Sequence, residues 1–221
     1  MSTERGAEST YRRFARWVAA GANTERTAFF SDAVFAIAMT LLAVEIRVPE
    51  VDSSDLPRAL LGQVPEFLAY GLSFAVIGGY WMTHHRFFKL LTGYTQSLQR
   101  LNLLVLLFVA LIGYATGILV RYGDTAWGVA VYAIVISAVG IGQTVLWVYA
   151  HRRGLLTGEL DGDLYRYVRA RSLAVPVVFL VSIPVAFADA DAAKYLWIAV
   201  LGVDIVLSAV YRRHRGVAGA A

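Results

Sequence analysis

A chain of 221 residues that is 58% hydrophobic and only 16% charged, with mean hydropathy +0.58, is far more apolar than a soluble domain, which carries about 25% charged residues. A membrane span takes about 20 apolar residues, so this length holds at most about seven spans and leaves no room for a separate soluble domain. The net charge of +4 then sets topology and does not point to nucleic acid, and the absence of Cys excludes disulfides, thiolate metal sites and a cysteine nucleophile.

Residues 1–26 are rich in Arg and Ala, and the apolar run that follows contains Asp32 and Glu45. They read as a cytoplasmic lead and not as a cleaved signal. Apolar runs near bilayer length then predict six helices: Thr27–Ile46, Val64–His85, Leu98–Val120, Trp127–Ala150, Ser172–Ala188 and Ala192–Tyr211. The expected fold is an all-α integral membrane six-helix bundle over residues 27–211, followed by a cytoplasmic tail over 212–221. Connections carry loop chemistry, such as Pro49, the Asp52-Ser53-Ser54-Asp55 stretch, Pro57, and Gly154 to Gly162. Pro176 and Pro184 predict a kink in the fifth helix.

Of the 20 Lys and Arg residues, Arg47, Arg58, Arg121 and Lys194 fall on one alternating set of connections and the other sixteen on the other set. The positive-inside rule places the richer set, and with it both termini, in the cytoplasm of a cell whose inner (plasma) membrane holds this multi-pass chain. So uneven a division also favours an even number of spans. The opposite set is acidic, with Glu45, Glu50, Asp52 and Asp55 among its members. It either concentrates cations at an outer mouth or simply solvates the loops.

Most of the helices are uniformly apolar, but the first carries Arg26, Ser31, Asp32, Thr40 and Glu45. An ionisable group inside a span is costly and marks function by default. At about 100° per residue, Phe30, Leu41 and Val44 lie within about 40° of the line of Ile37, Thr40 about 60° from it, and Asp32 about 140° away. Asp32 therefore faces other helices. By periodicity alone the apolar stripe reads as a lipid or packing face sooner than as the wall of a pore.

The second predicted helix ends with Trp81, His84 and His85, and Asn102 opens the third, all at the depth of Asp32. Such polar groups meet in membranes to avoid going unsatisfied. A metal site is disfavoured because His84 and His85 point about 100° apart on a helix. No nucleophile elbow, Walker loop, dinucleotide fingerprint or potassium-filter sequence is present, and the chain does not read as an enzyme.

The run Arg26-Thr27-Ala28-Phe29-Phe30-Ser31-Asp32, continued by Ala33-Val34-Phe35-Ala36-Ile37-Ala38-Met39-Thr40-Leu41-Leu42, has the form Arg-x-x-x-Phe-Ser-Asp. It resembles the first-helix signature of the transmembrane protein 175 family of potassium channels in its six-helix prokaryotic form. Trp81-x-x-His84-His85 and Leu101-Asn102-Leu103 resemble the same family, so the likeness spans roughly the first 110 residues. Where that family often has Pro near the end of helix three, this chain has Ile112-Gly113-Tyr114.

The resemblance implies a homotetramer in the lipid bilayer, with the first helices of four subunits lining a central pore for monovalent cations. It implies K⁺ as the permeant ion, with no cofactor and no metal. Ile37, Leu41 and Val44 would correspond to the constricting apolar rings and Thr40 to the hydroxyl linked to selectivity. Arg26, Phe30, Ser31, Asp32, Trp81, His84 or His85, and Asn102 would correspond to a polar network that braces the bundle. The expected function is a weakly K⁺-selective leak through a hydrophobic neck. Its rivals are a proton channel or a proton-coupled secondary transporter in which Asp32, Glu45 and the histidines titrate.

Overall fold

The computed structural model describes residues 24–157 and 162–198. Helix α1 (Thr24–Leu41) closes in a 3-10 turn, Leu42–Glu45. Its buried positions, Ser31, Phe35 and Ala38, extended by Leu42, recur at steps of four, three and four and so form one face. A short helix α2 (Leu56–Gly62) is bent by 45° into α3 (Val64–Lys89), and each has a Pro in its first turn, where the missing N–H costs nothing. Helices α4 (Gln96–Ala110) and α6 (Ala126–Arg152) begin at Thr95 and Thr125, whose hydroxyls accept the N–H groups of Leu98 and Gly128. Between them lies α5 (Ile112–Tyr122), and α7 (Gly162–Ala186) follows. Residues 190–198 are helical, opened by Asp189, whose carboxylate accepts the Asp191 and Ala192 N–H groups.

Among the described residues, four helical stretches are long and apolar enough to cross a membrane, Thr24–Glu45, Gln96–Tyr122, Ala126–Arg152 and Val168–Ala186, and the bent α2–α3 pair taken as one span makes a fifth. These match the first five predicted spans in position. Only residues 192–198 of the sixth fall within the described region; its remainder, the tail at 212–221 and the lead before residue 24 lie outside it. Helix α6 sits at the centre, packed on α4, α5 and α7. Of its apolar window 61% is buried, against 22% for α1, so α1 stands at the rim.

Two boundaries differ from the expectations. The third predicted helix is divided at Leu111, which slips toward 3-10 geometry (φ −77°, ψ −10°) and shares its N–H between the Leu107 and Phe108 carbonyls. Helix α7 starts ten residues before Ser172, since a helix can continue past the bilayer through the polar sequence Tyr165-Arg166-Tyr167-Val168-Arg169. Both Pro176 and Pro184 fall inside this helix. Gly140 of α6 is what admits the first of these prolines: a Cβ there would lie 2.8 Å from Pro176 Cδ and 2.7 Å from the Tyr80 hydroxyl. The Ser137 hydroxyl donates to the Pro176 carbonyl at 3.2 Å, and the segment is held against α6.

Polar side chains tie the interior together. Thr116, Ser73 and Tyr132 join α5, α3 and α6 through contacts of 2.8 and 3.0 Å, all three buried. The Tyr80 hydroxyl donates to the Ile136 carbonyl at 2.9 Å, and Gln143 Nε2 donates to the Tyr80 carbonyl at 3.0 Å. At the end of the bundle where α3 and α6 finish, two loops are clasped: Thr92 N–H donates to the Leu155 carbonyl and Thr157 N–H to the Leu90 carbonyl, each at 2.9 Å. The turn into this clasp is made by Gly154 at φ +62°, with the Leu155 and Gly154 N–H groups returning to the Ala150 and His151 carbonyls. Glycine takes this conformation without strain, and the two bonds satisfy the last carbonyls of α6.

Candidate functional site

Helix α1 has two unlike faces, and the first of them is polar and anchored. Asn102 is fully buried, and its Nδ2 donates to Ser31 Oγ at 3.0 Å. Ser31 in turn donates to the Thr27 carbonyl at 2.8 Å. With its amide nitrogen engaged, Asn102 presents only Oδ1 to His84 Nε2 at 2.8 Å, so the imidazole must carry its proton on Nε2. The result is a directed chain from α3 through α4 to α1. The His84 ring fills the space between Phe35 (5.2 Å between centroids) and Phe88 (4.7 Å, stacked), which fixes its orientation by packing as well.

Asp32, one residue on, belongs to a second and more open group. Its Oδ1 accepts from Trp81 Nε1 at 2.8 Å and its Oδ2 lies 3.5 Å from His85 Nδ1. Trp81 and His85 pack on each other with ring centroids 5.5 Å apart. The two adjacent histidines therefore serve different partners, as their angular separation on the helix requires: His84 is buried, while His85 is 37% exposed. Arg26 and Phe30 stand outside these bonds. Phe30 is exposed, and Arg26 has no ion pair among the described residues. Nor do the described residues contain a group of three metal-ligating side chains.

A further tether near the start of α1 had no signal in the sequence. The Thr27 hydroxyl meets the Tyr94 hydroxyl at 2.8 Å, so the base of α1 is linked to the clasped loop between α3 and α4. Burial raises the Tyr94 pKa above its usual value, so the phenol stays protonated and able to donate.

The other face of α1 is apolar and open. Ile37, Leu41 and Val44 are 56%, 54% and 73% exposed, in line with Phe30 and opposite the buried line of Ser31, Phe35, Ala38 and Leu42. Thr40 lies beside them, also exposed, and its hydroxyl donates to the Ile37 carbonyl at 2.9 Å. That bond occupies the hydroxyl proton and leaves the oxygen lone pairs facing away from the helix. At the far end of this stripe the Glu45 carboxylate lies against Gly117, where a Cβ would come within 2.7 Å of Glu45 Oε2. A cavity of about 260 Å³ separates the stripe from α5, lined in part by Ile37, Leu41, Val44, Gly113 and Tyr114.

The stretch that carries both faces of α1 is also the stretch in which this chain matches a known family. The family model described as endosomal/lysosomal potassium channel TMEM175 matches residues 26–112, the stretch that contains both groups of polar residues and the apolar stripe. A potassium channel of Streptomyces collinus is 37% identical over 171 residues, covering 75% of this chain and 83% of the relative. A potassium channel of Chamaesiphon minutus is 32% identical over 192 residues, covering 84% of this chain and 91% of the relative. Among solved structures, the crystal structure of a lysosomal potassium-selective channel TMEM175 homolog from Chamaesiphon minutus superposes with TM-score 0.70 at 28% identity, covering 85% of this chain and 97% of that one. With such relatives matched over most of their own length, the chain belongs to the TMEM175 family.

Proposed function

We propose that this chain is a potassium channel in which four copies surround a central axis lined by α1, with Ile37, Leu41 and Val44 as the neck and Thr40 as the hydroxyl that favours K⁺. A channel is not an enzyme, and no step of bond making is involved. The observation that carries the reading is the two-faced α1. Its polar back is spent on α3 and α4, while its apolar front is left more than half exposed in the single subunit. The names of the relatives, both potassium channels, support the same conclusion.

Moving a bare ion from water into a low-dielectric medium costs about 20 kcal/mol in the idealised limit, so a neck of Ile37 and Leu41 side chains blocks ions by dewetting until it widens. K⁺ gives up water more readily than Na⁺. A neck that strips part of the hydration shell therefore prefers K⁺, and Thr40 oxygens with their protons turned to the Ile37 carbonyl replace some of the lost ligands. Without a rigid cage of carbonyls the preference is modest. The polar chain through Ser31, Asn102 and His84, together with Asp32, Trp81 and His85, holds the pore helix at a fixed angle, and Arg26 and Phe30 complete that end of the helix in the assembled tetramer. Both termini then lie in the cytoplasm of the cell whose inner membrane holds the channel.

Purified protein in liposomes loaded with K⁺ and diluted into K⁺-free medium tests the reading. With a membrane-permeant anion such as thiocyanate leaving alongside K⁺ to balance the charge, release that needs no Na⁺ or proton gradient is expected, at a rate that rises with the K⁺ gradient. Release that saturates and requires a counter-moving ion would mean a transporter, and dissipation of a pH gradient with no K⁺ release would mean a proton channel.

A further inference from the structure

The end of the bundle where α6 finishes and α7 begins carries a surface that conduction does not use. Tyr165 of α7 stacks on His151 of α6 at 3.8 Å between centroids, and on Trp147 at 6.3 Å with the planes 12° apart. Arg169 lies over the Tyr165 ring at 5.9 Å, and Arg153 over Tyr149 at 5.6 Å. Arg152 adjoins this stack in sequence, and Arg152, Arg153 and Arg169 are all exposed. Stacking on a tyrosine holds an arginine at a fixed place while leaving its N–H groups free.

The depth of this cluster decides its partner. Arg166 and Arg169 lie in the polar first turns of α7, ahead of the continuous apolar run that follows Ser172, and α6 ends at Arg152. The guanidinium groups thus sit where hydrocarbon gives way to headgroups, among aromatic rings of the kind that collect at that boundary. Below Arg169 the same helix has an apolar outer side. Leu180, eleven residues further on, falls about 20° from the line of Arg169 and about 16 Å along the axis, and both it and the neighbouring Val177 and Val181 are exposed. A cationic headgroup contact thus continues into an apolar track of acyl-chain length on one helix.

We propose that Arg169 on Tyr165, Arg153 on Tyr149 and the adjacent Arg152 form a binding site for an anionic phospholipid, the phosphate held by the guanidinium groups and an acyl chain lying along Val177 and Leu180. Opposite charge fits the headgroup, and each basic residue near an anionic membrane surface adds about fivefold to binding. The site is independent of the pore.

Native mass spectrometry of the purified full-length protein in detergent, with equimolar phosphatidylglycerol and phosphatidylcholine added, reads the site without reference to ion flux. The wild type is expected to retain phosphatidylglycerol over phosphatidylcholine by about tenfold or more. The combined change Arg152→Gln, Arg153→Gln and Arg169→Gln is expected to remove that preference, while Arg58→Gln, on the opposite side of the bundle, leaves it intact. If the triple variant does not fold, Arg169→Gln alone is expected to lower retention about fivefold. Equal retention of the two lipids by the wild type, an unchanged preference in the folded arginine variants, or an equal loss in Arg58→Gln would overturn the proposal. Displacement of the lipid by millimolar inorganic phosphate would also overturn it, since the site would then take a soluble anion.

Discussion

Replacing Ile37 by Asn raises the K⁺ conductance and brings the K⁺ and Na⁺ permeabilities closer together. Ile37 is more than half exposed although it lies in the middle of an apolar helix, and its neighbours on the stripe, Leu41 and Val44, are equally open. In the proposed tetramer, four amides in place of four sec-butyl groups give water a hydrogen-bonding surface across the neck, so the pore wets more readily and the ion keeps more of its shell. A tenfold rise in flux corresponds to a barrier lowered by about 1.4 kcal/mol, a small change for a ring of four polar side chains. The check is a liposome flux assay and bilayer recording on Ile37→Asn alongside the wild type, at equal amounts of assembled protein. Unchanged current and selectivity in a folded assembly would remove Ile37 from the neck.

The second large effect is on stability. Asn102→Ala deletes the group that links α4 to both α1 and α3, leaving His84 Nε2–H and one lone pair of Ser31 Oγ without their partner in a site closed to water. The cost is about 1–3 kcal/mol, seen as a lower thermal unfolding midpoint in detergent and a smaller folded fraction. Asp32→Ala weakens the isolated subunit less, because Trp81 and His85 are about one-third exposed and water replaces the lost carboxylate. An Asn102→Ala protein as stable as the wild type would show that packing of Phe35 and Phe88 on His84 suffices to hold α1.

Much of this arrangement was legible in the sequence because bilayer thickness and helical periodicity leave few choices. Five apolar runs came out as spans at the expected places, and the 100° step alone turned Asp32 away from Ile37 and toward the other helices, where it meets Trp81. Hydropathy fails where a helix leaves the hydrocarbon, so the basic and aromatic first turns of α7 read as loop. It also carries no signal for the change of backbone geometry at Leu111. Pairings between helices were the hardest to see. Ser73, Thr116 and Tyr132 each stand as a lone polar residue in an apolar stretch, which signals that a partner exists without naming it. The separation of His84 from His85 followed from angle, but their partners depended on how α3 meets α1 and α4.

The most direct test of the central claim is the reversal potential of the purified protein in a planar bilayer with K⁺ on one side and Na⁺ on the other, at equal pH. A hydrophobic neck with Thr40 hydroxyls predicts an ohmic current that reverses at a voltage favouring K⁺, displaced only part of the way toward the K⁺ equilibrium potential, and moved toward zero by Ile37→Asn. A current that reverses at zero under this gradient and follows the proton equilibrium potential when pH is made unequal would contradict a K⁺-selective pore lined by α1.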